Sequence, residues 1–105
     1  MFVRIWRFRA AAGKETEFER FNGSDGAWAQ LFARSPRYLG TTLKPIKGAP
    51  GEYETTDRWE SREAWDAFRR DFADDYDRLD REAEALTSSE TLVAEEDSTP
   101  LRGRE

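Results

Sequence analysis

Along residues 2–9, FVRIWRFR, large side chains alternate in two rows: Phe2, Arg4, Trp6 and Phe8 fall on one face, Val3, Ile5, Arg7 and Arg9 on the other. A period of two in aromatic and β-branched residues predicts a strand. Each face carries both apolar residues and arginine, so neither is plainly the solvent side. From Lys14 to Arg34 the period becomes helical, with Phe18 and Phe21 in a first piece and Trp28, Leu31 and Phe32 in a second. Asn22-Gly23-Ser24-Asp25-Gly26 separates the pieces, and its glycines and cap-type residues predict a break, with Ser24 or Asp25 capping the second piece. A phosphate cradle is the weaker reading of this loop, which lacks the glycine spacing and lysine of a phosphate loop.

Ser35-Pro36 ends the helical stretch, since a residue before proline is pushed out of the α region. Tyr38 to Ile46 reads as a strand with Leu39, Thr41 and Leu43 on one face and Pro45 near an edge or bulge. Gly48-Ala49-Pro50-Gly51 is a turn signal, and Glu52 to Trp59 completes an antiparallel hairpin. Ser61 is placed to cap the next helix, with Glu63 in its first turn. Trp65, Phe68, Phe72, Tyr76, Leu79, Ala83 and Leu86 then form a helical stripe. One helix from 62 to 86 would run about 37 Å, long for a small domain, so a bend is expected near Asp74-Asp75. Its charged face offers i, i+4 pairs such as Asp66 with Arg70 and Asp74 with Arg78, and no chemistry is assigned to it. Thr91 to Glu95 is a last short strand.

The order strand, helix, strand, strand, helix, strand predicts an α+β, ferredoxin-like βαββαβ protomer, with two helices covering one face of a four-stranded antiparallel sheet. Residues 1–96 form its single domain and 97–105 a polar C-terminal tail. The second sheet face is also partly apolar, and a homodimer through the sheet is the simplest way to cover it.

Composition sharpens this. Only 18 of the 105 residues are Leu, Ile, Val or Phe, about 17%, below the roughly 20% at which disorder becomes a concern. The 14 aromatic residues outnumber the 12 Leu, Ile, Val and Met together, however, and disordered chains are poor in aromatics. The expectation is a folded domain short of aliphatic filling, completed by a partner chain. The absence of Cys and His excludes disulfides, thiolate or imidazole metal sites, His-ligated haem, cysteine nucleophiles and histidine bases. Arg4, Arg7 and Arg9 interrupt every apolar run near the start, so neither a signal peptide nor a membrane span fits, and a cytoplasmic location is expected. The net charge of -5 has the wrong sign for a nucleic-acid partner.

With this topology, three segments resemble the antibiotic biosynthesis monooxygenase-type family of dimeric α/β barrel proteins: FVRIWRF, NGSDGAWAQLF, and Asp57-Arg58-Trp59-Glu60-Ser61 leading into EAWDAFRRDF. The resemblance covers residues 2 to 96, and the Trp-Glu-Ser junction is its most specific part. It implies a sheet that pairs with a second sheet to close an eight-stranded barrel and, in the enzymes, a pocket between helices and sheet for an aromatic or polycyclic substrate. Haem-degrading members resemble this chain at Trp-Glu-Ser but use an Asn on the first strand, a Trp in the helix after the junction and an axial His. Here the first strand has no Asn, the nearby helical aromatic is Phe68 and the chain has no His, so neither haem nor another cofactor is expected. The polar residues that the quinone-forming, cofactor-independent oxygenases place around a phenol have no complete counterpart.

If Tyr53, Thr55, Asp57 and Trp59 face the helices, Asp57 is the candidate catalytic residue, accepting a substrate proton beside an apolar wall that raises its pKa. The competing reading is an Asp57 paired with an arginine and a Trp59 in the core. Trp6, Trp28, Trp59, Trp65, Phe68 and Phe72 come from four elements and are candidates to wall a site for a flat aromatic ligand, against plain core packing. Arg4 and Arg7 are either an anion clamp or partners, across a dimer, of strand acids such as Glu54 or Glu95. The expected function is a cofactor-independent monooxygenase acting on an aromatic or polycyclic molecule. The alternative is a non-catalytic dimer of the same fold that binds a small molecule or another protein.

Overall fold

A computed structural model describes residues 1–98; the rest of the expected tail, 99–105, lies outside the described residues. The elements are β1 (Phe2–Ala10), α1 (Glu15–Asn22), α2 (Ala27–Phe32), β2 (Tyr38–Pro45), β3 (Glu52–Trp59), α3 (Arg62–Asp71), α4 (Ala73–Glu84) and β4 (Thr87–Asp97). The strands form one antiparallel sheet in the order β2-β3-β1-β4. This is the ferredoxin-like α+β arrangement, with each helical stretch divided in two. No helix among the described residues is long and apolar enough to cross a membrane.

Burial alternates strictly along β3: Tyr53, Thr55, Asp57 and Trp59 are buried beneath the helices, and the residues between them are only half-buried. β1 turns Phe2 and Arg4 to the same inner face, where they join Trp59, Ala64, Trp65 and Phe68, and Leu31 and Phe32 of α2. A second, smaller cluster of Ala10, Phe18 and Tyr53 closes the other end of the sheet. Phe32 is the hub of the larger cluster, with ring centroids 5.4 Å from Trp59 and 5.4 Å from Phe68. Such contacts add about 0.5 to 1.5 kcal/mol per pair beyond burial, which is how aromatic residues replace the missing aliphatic filling.

Several local expectations are corrected. Leu39 does not share a face with Thr41 and Leu43: a bulge between Tyr38 and Gly40, with Gly40 at φ +133°, turns Leu39 outward, where it is 52% exposed. Neither Ser24 nor Asp25 caps α2; Gly26 does, packed so tightly that a Cβ there would overlap the Arg20 and Phe21 carbonyl oxygens. The break in the long helical stretch comes at Phe72 (φ −118°, ψ 31°), ahead of Asp74-Asp75. Ser61 caps α3 as expected, accepting a 3.1 Å hydrogen bond from the Ala64 amide. β4 is longer than Thr91 to Glu95 because β1 pairs with it along its whole length.

The expected i, i+4 pairs give way to Asp75 with Arg78 at 2.7 Å and Arg70 with Asp71 at 3.6 Å. Arg4 and Arg7 do meet Glu95 and Glu54, at 2.8 and 3.7 Å, but within one chain. Strand register sets Arg4 opposite Glu95 and Arg7 opposite Glu54.

Candidate functional site

The inner rows of the sheet are aromatic at their ends and carry polar side chains between them, with Trp6 of β1 the exception. β1 reads Phe2, Arg4, Trp6, Phe8, and β3 reads Trp59, Asp57, Thr55, Tyr53 in matching register. β2 contributes Thr41, opposite Asp57. The aromatic ends fill the two core clusters, and the polar middle is left as the floor of a cavity of about 150 Å³. Trp6, Phe8, Trp28, Phe32 and Tyr76 wall it, and Asp80 and Ala83 of α4 with Glu90 of β4 form its remaining side.

Asp57 and Arg4 are both buried on this floor, 8% and 9% exposed, on directly paired positions of β3 and β1. The Thr41 hydroxyl donates a 2.7 Å hydrogen bond to Asp57 Oδ1. Burial pushes the Asp57 carboxyl up to about 6; the Thr41 hydrogen bond and the charges of Arg4 and Arg58 pull the other way without prevailing. Arg4 is fixed from two sides, by Glu95 at Nε, 2.8 Å, and by stacking 4.2 Å from the Trp65 ring centroid. Burial raises the Tyr76 phenol above its ordinary value, opposed by the neighbouring Arg4. A carboxyl that titrates near neutrality can accept a proton from a weak acid, and the adjacent guanidinium is suited to hold the resulting anion. Among the described residues no group of three or more acidic side chains is arranged to hold a metal ion.

The structure therefore brings Asp57, Trp6 and Trp28 to one cavity. Trp59, Trp65 and Phe68 are buried in the aromatic core beside it, and Phe72 packs against that core from its edge. The space beneath Trp59 and Phe68 is filled by Phe32 and Trp65. Sequence reasoning missed Thr41, Thr55, Tyr76, Asp80 and Glu90. The signal for the first two was available: Thr55 shares the face of Asp57 on β3, and the hairpin register sets Thr41 opposite Asp57.

No family model matches the chain, and no curated protein matches it. Solved structures do share its fold over nearly the whole chain, and several of them are described as antibiotic biosynthesis monooxygenases. One such monooxygenase is 17% identical, with a TM-score of 0.65 over 95% of this chain and 100% of that one. SnoaB, a cofactor-independent oxygenase from Streptomyces nogalater, is 23% identical, with a TM-score of 0.63 over 95% of this chain and 97% of its own. A variant of MhuD with two manganese protoporphyrin IX molecules bound per active site is 26% identical, with a TM-score of 0.61 over 98% of this chain and 99% of its own. The resemblance noticed in three short segments thus extends to the fold.

Proposed function

We propose that the chain is a cofactor-independent oxygenase of aromatic small molecules, with the cavity as substrate site and Asp57 as base. The observation that carries this reading is a buried carboxyl, pushed up to about 6, on the floor of an aromatic-walled cavity. A phenol seated between Trp6 and Trp28 gives its hydroxyl proton to Asp57, and Arg4 steadies the anion. The electron-rich anion reduces dioxygen itself: one oxygen atom bonds to a ring carbon, which loses its hydrogen, and the other leaves as water, so a phenol becomes a quinone. The protein contributes an aromatic-walled cavity, orientation and the base. The likeness to SnoaB, described as a cofactor-independent oxygenase, is consistent with this reading at the level of fold.

Haem does not fit the residues present. The chain offers no His as an axial ligand, and a cavity of about 150 Å³ is too small for a macrocycle. The outer sheet face, with Val3, Ile5 and the exposed Leu39, is read as the surface that pairs with a second copy to close a barrel.

Oxygen uptake with a panel of small phenols, by the wild-type protein and by Asp57→Asn, tests the reading. Uptake that disappears in a folded Asp57→Asn variant is expected. Uptake that survives would remove Asp57 from the reaction, and binding without any uptake would make the chain a small-molecule-binding protein of the same fold.

A further inference from the structure

The cavity is electrically lopsided. Its floor holds Arg4, the one cation among the described residues that line it, with Asp57 on the paired strand position, both buried. Its mouth holds Asp80, half-buried on α4, and Glu90, exposed on β4. Partial burial, then the charges of Asp80 and of Glu84, raise the Glu90 carboxyl, so the three acids feel one another there. Among the described residues no Lys or Arg lies within ion-pair distance of any of them. An anionic group entering this mouth meets uncompensated negative charge, and a cationic one relieves it.

Size limits the ligand as well. A cavity of about 150 Å³ matches the space that holds a single benzene ring in an engineered apolar cavity of another protein. We propose that the site selects a single-ring aromatic carrying a protonated amine on a short chain, with the ring between Trp6 and Trp28 and the amine at Asp80 and Glu90. This rests on the reading of the cavity as a ligand site. It assigns the floor to the ring's polar substituent and the mouth to the choice between cations and anions. The acidic mouth also discriminates against flat ligands that carry carboxylates.

Three probes share one para-hydroxyphenyl ring on a two-carbon chain and differ in how the chain ends: tyramine in a protonated amine, para-ethylphenol in a hydrogen and para-hydroxyphenylpropionate in a carboxylate. Titrating each into the protein while following the indole N–H resonances of Trp6 and Trp28 reports affinity, with Trp59 as the internal reference. Tyramine is expected to bind at least about fivefold tighter than para-ethylphenol, the size of effect that partly exposed ion pairs produce. The acid is expected to bind most weakly, and added salt to narrow the differences. An Asp80→Asn, Glu90→Gln double variant, its fold checked by circular dichroism, is expected to bring tyramine down to the affinity of para-ethylphenol. Equal binding of tyramine and para-ethylphenol to the wild type would overturn the charge selection and leave the cavity reading standing. A preference that survives the double variant would overturn the role of the mouth, and no binding by any probe would overturn both inferences.

Discussion

The Thr41 hydroxyl donates a 2.7 Å hydrogen bond to the Asp57 carboxylate across the β2–β3 pairing. Its only proton is committed there, so in the 2.5 Å contact between Tyr38 and Thr41 the phenol is the donor. The two hydroxyls form a chain aimed at the buried carboxylate. Removing the inner donor with Thr41→Val is expected to raise the Asp57 pKa above about 6, because the hydrogen bond favours the charged form. Thr41→Ser should restore it. A carboxyl-carbon NMR titration of the three proteins measures this, and an unchanged value in the Val variant would show that Thr41 does not hold the charge.

Stability should carry the mark of the same carboxyl. The folded-state value of about 6 lies above the ordinary 3.8, so folding favours the protonated form. The stabilisation is complete below the lower value and is lost as pH rises through the upper one. The loss at neutral pH is on the order of 2 to 3 kcal/mol. Asp57→Asn should therefore melt no lower than wild type near neutrality and should lose this pH dependence. A variant that melts well below wild type at neutral pH would show that the carboxylate is structural.

Strand alternation was legible from sequence because Tyr53, Thr55, Asp57 and Trp59 keep one unbroken period, and α3 because Ser61 caps it ahead of the Trp65 and Phe68 stripe. Other features were hidden for physical reasons. The one hint of the bulge in YLGTTL is Gly40, whose φ of +133° suits glycine, but a glycine does not say which neighbour turns outward. The helix breaks at Phe72, an aromatic residue that packs against the core on the side of the stripe, while the acidic pair that suggested a bend sits inside α4. The cavity belongs to no single segment: it exists because register lines up Arg4, Asp57 and Thr41, which lie on three strands.

Core and cavity aromatics should separate by mutation. Phe68, 2% exposed, has no cavity to face, and Phe68→Ala is expected to cost about 3 to 5 kcal/mol. Trp28 is only partly buried and lines the cavity, so Trp28→Ala should cost less and abolish ligand binding. Chemical denaturation with a binding titration of each variant checks the contrast; similar stability losses would place Trp28 in the core.

Gly26 is held by space and not by backbone angle. Its φ is −82°, which any residue adopts, but a Cβ would overlap the backbone oxygens of Arg20 and Phe21. Gly26→Ala is expected to destabilise by about 1 to 3 kcal/mol by prising α1 from α2. Gly13→Ala, with open space at φ +78°, should cost about 1 kcal/mol. Equilibrium unfolding of the pair measures the difference, and equal losses would contradict it.

Pairing through the outer sheet face predicts a dimer at micromolar concentration in sedimentation experiments. Ile5→Lys places a charge at the centre of that face on β1 and is expected to give folded monomers. A wild-type monomer, or a variant that remains dimeric, would rule out this surface as the interface.

The bulge at Leu39 and Gly40 makes chain length itself a constraint on the site. In a regular strand Tyr38 and Thr41, three positions apart, would point to opposite sides; the extra residue reverses that parity and lets the phenol reach the threonine. Replacing Leu39, which is exposed, leaves the count intact. Deleting it removes no buried contact yet shifts the frame of everything before it, so Tyr38 would turn away from the hydroxyl it now serves. For the site, the number of residues at this position should matter far more than their type.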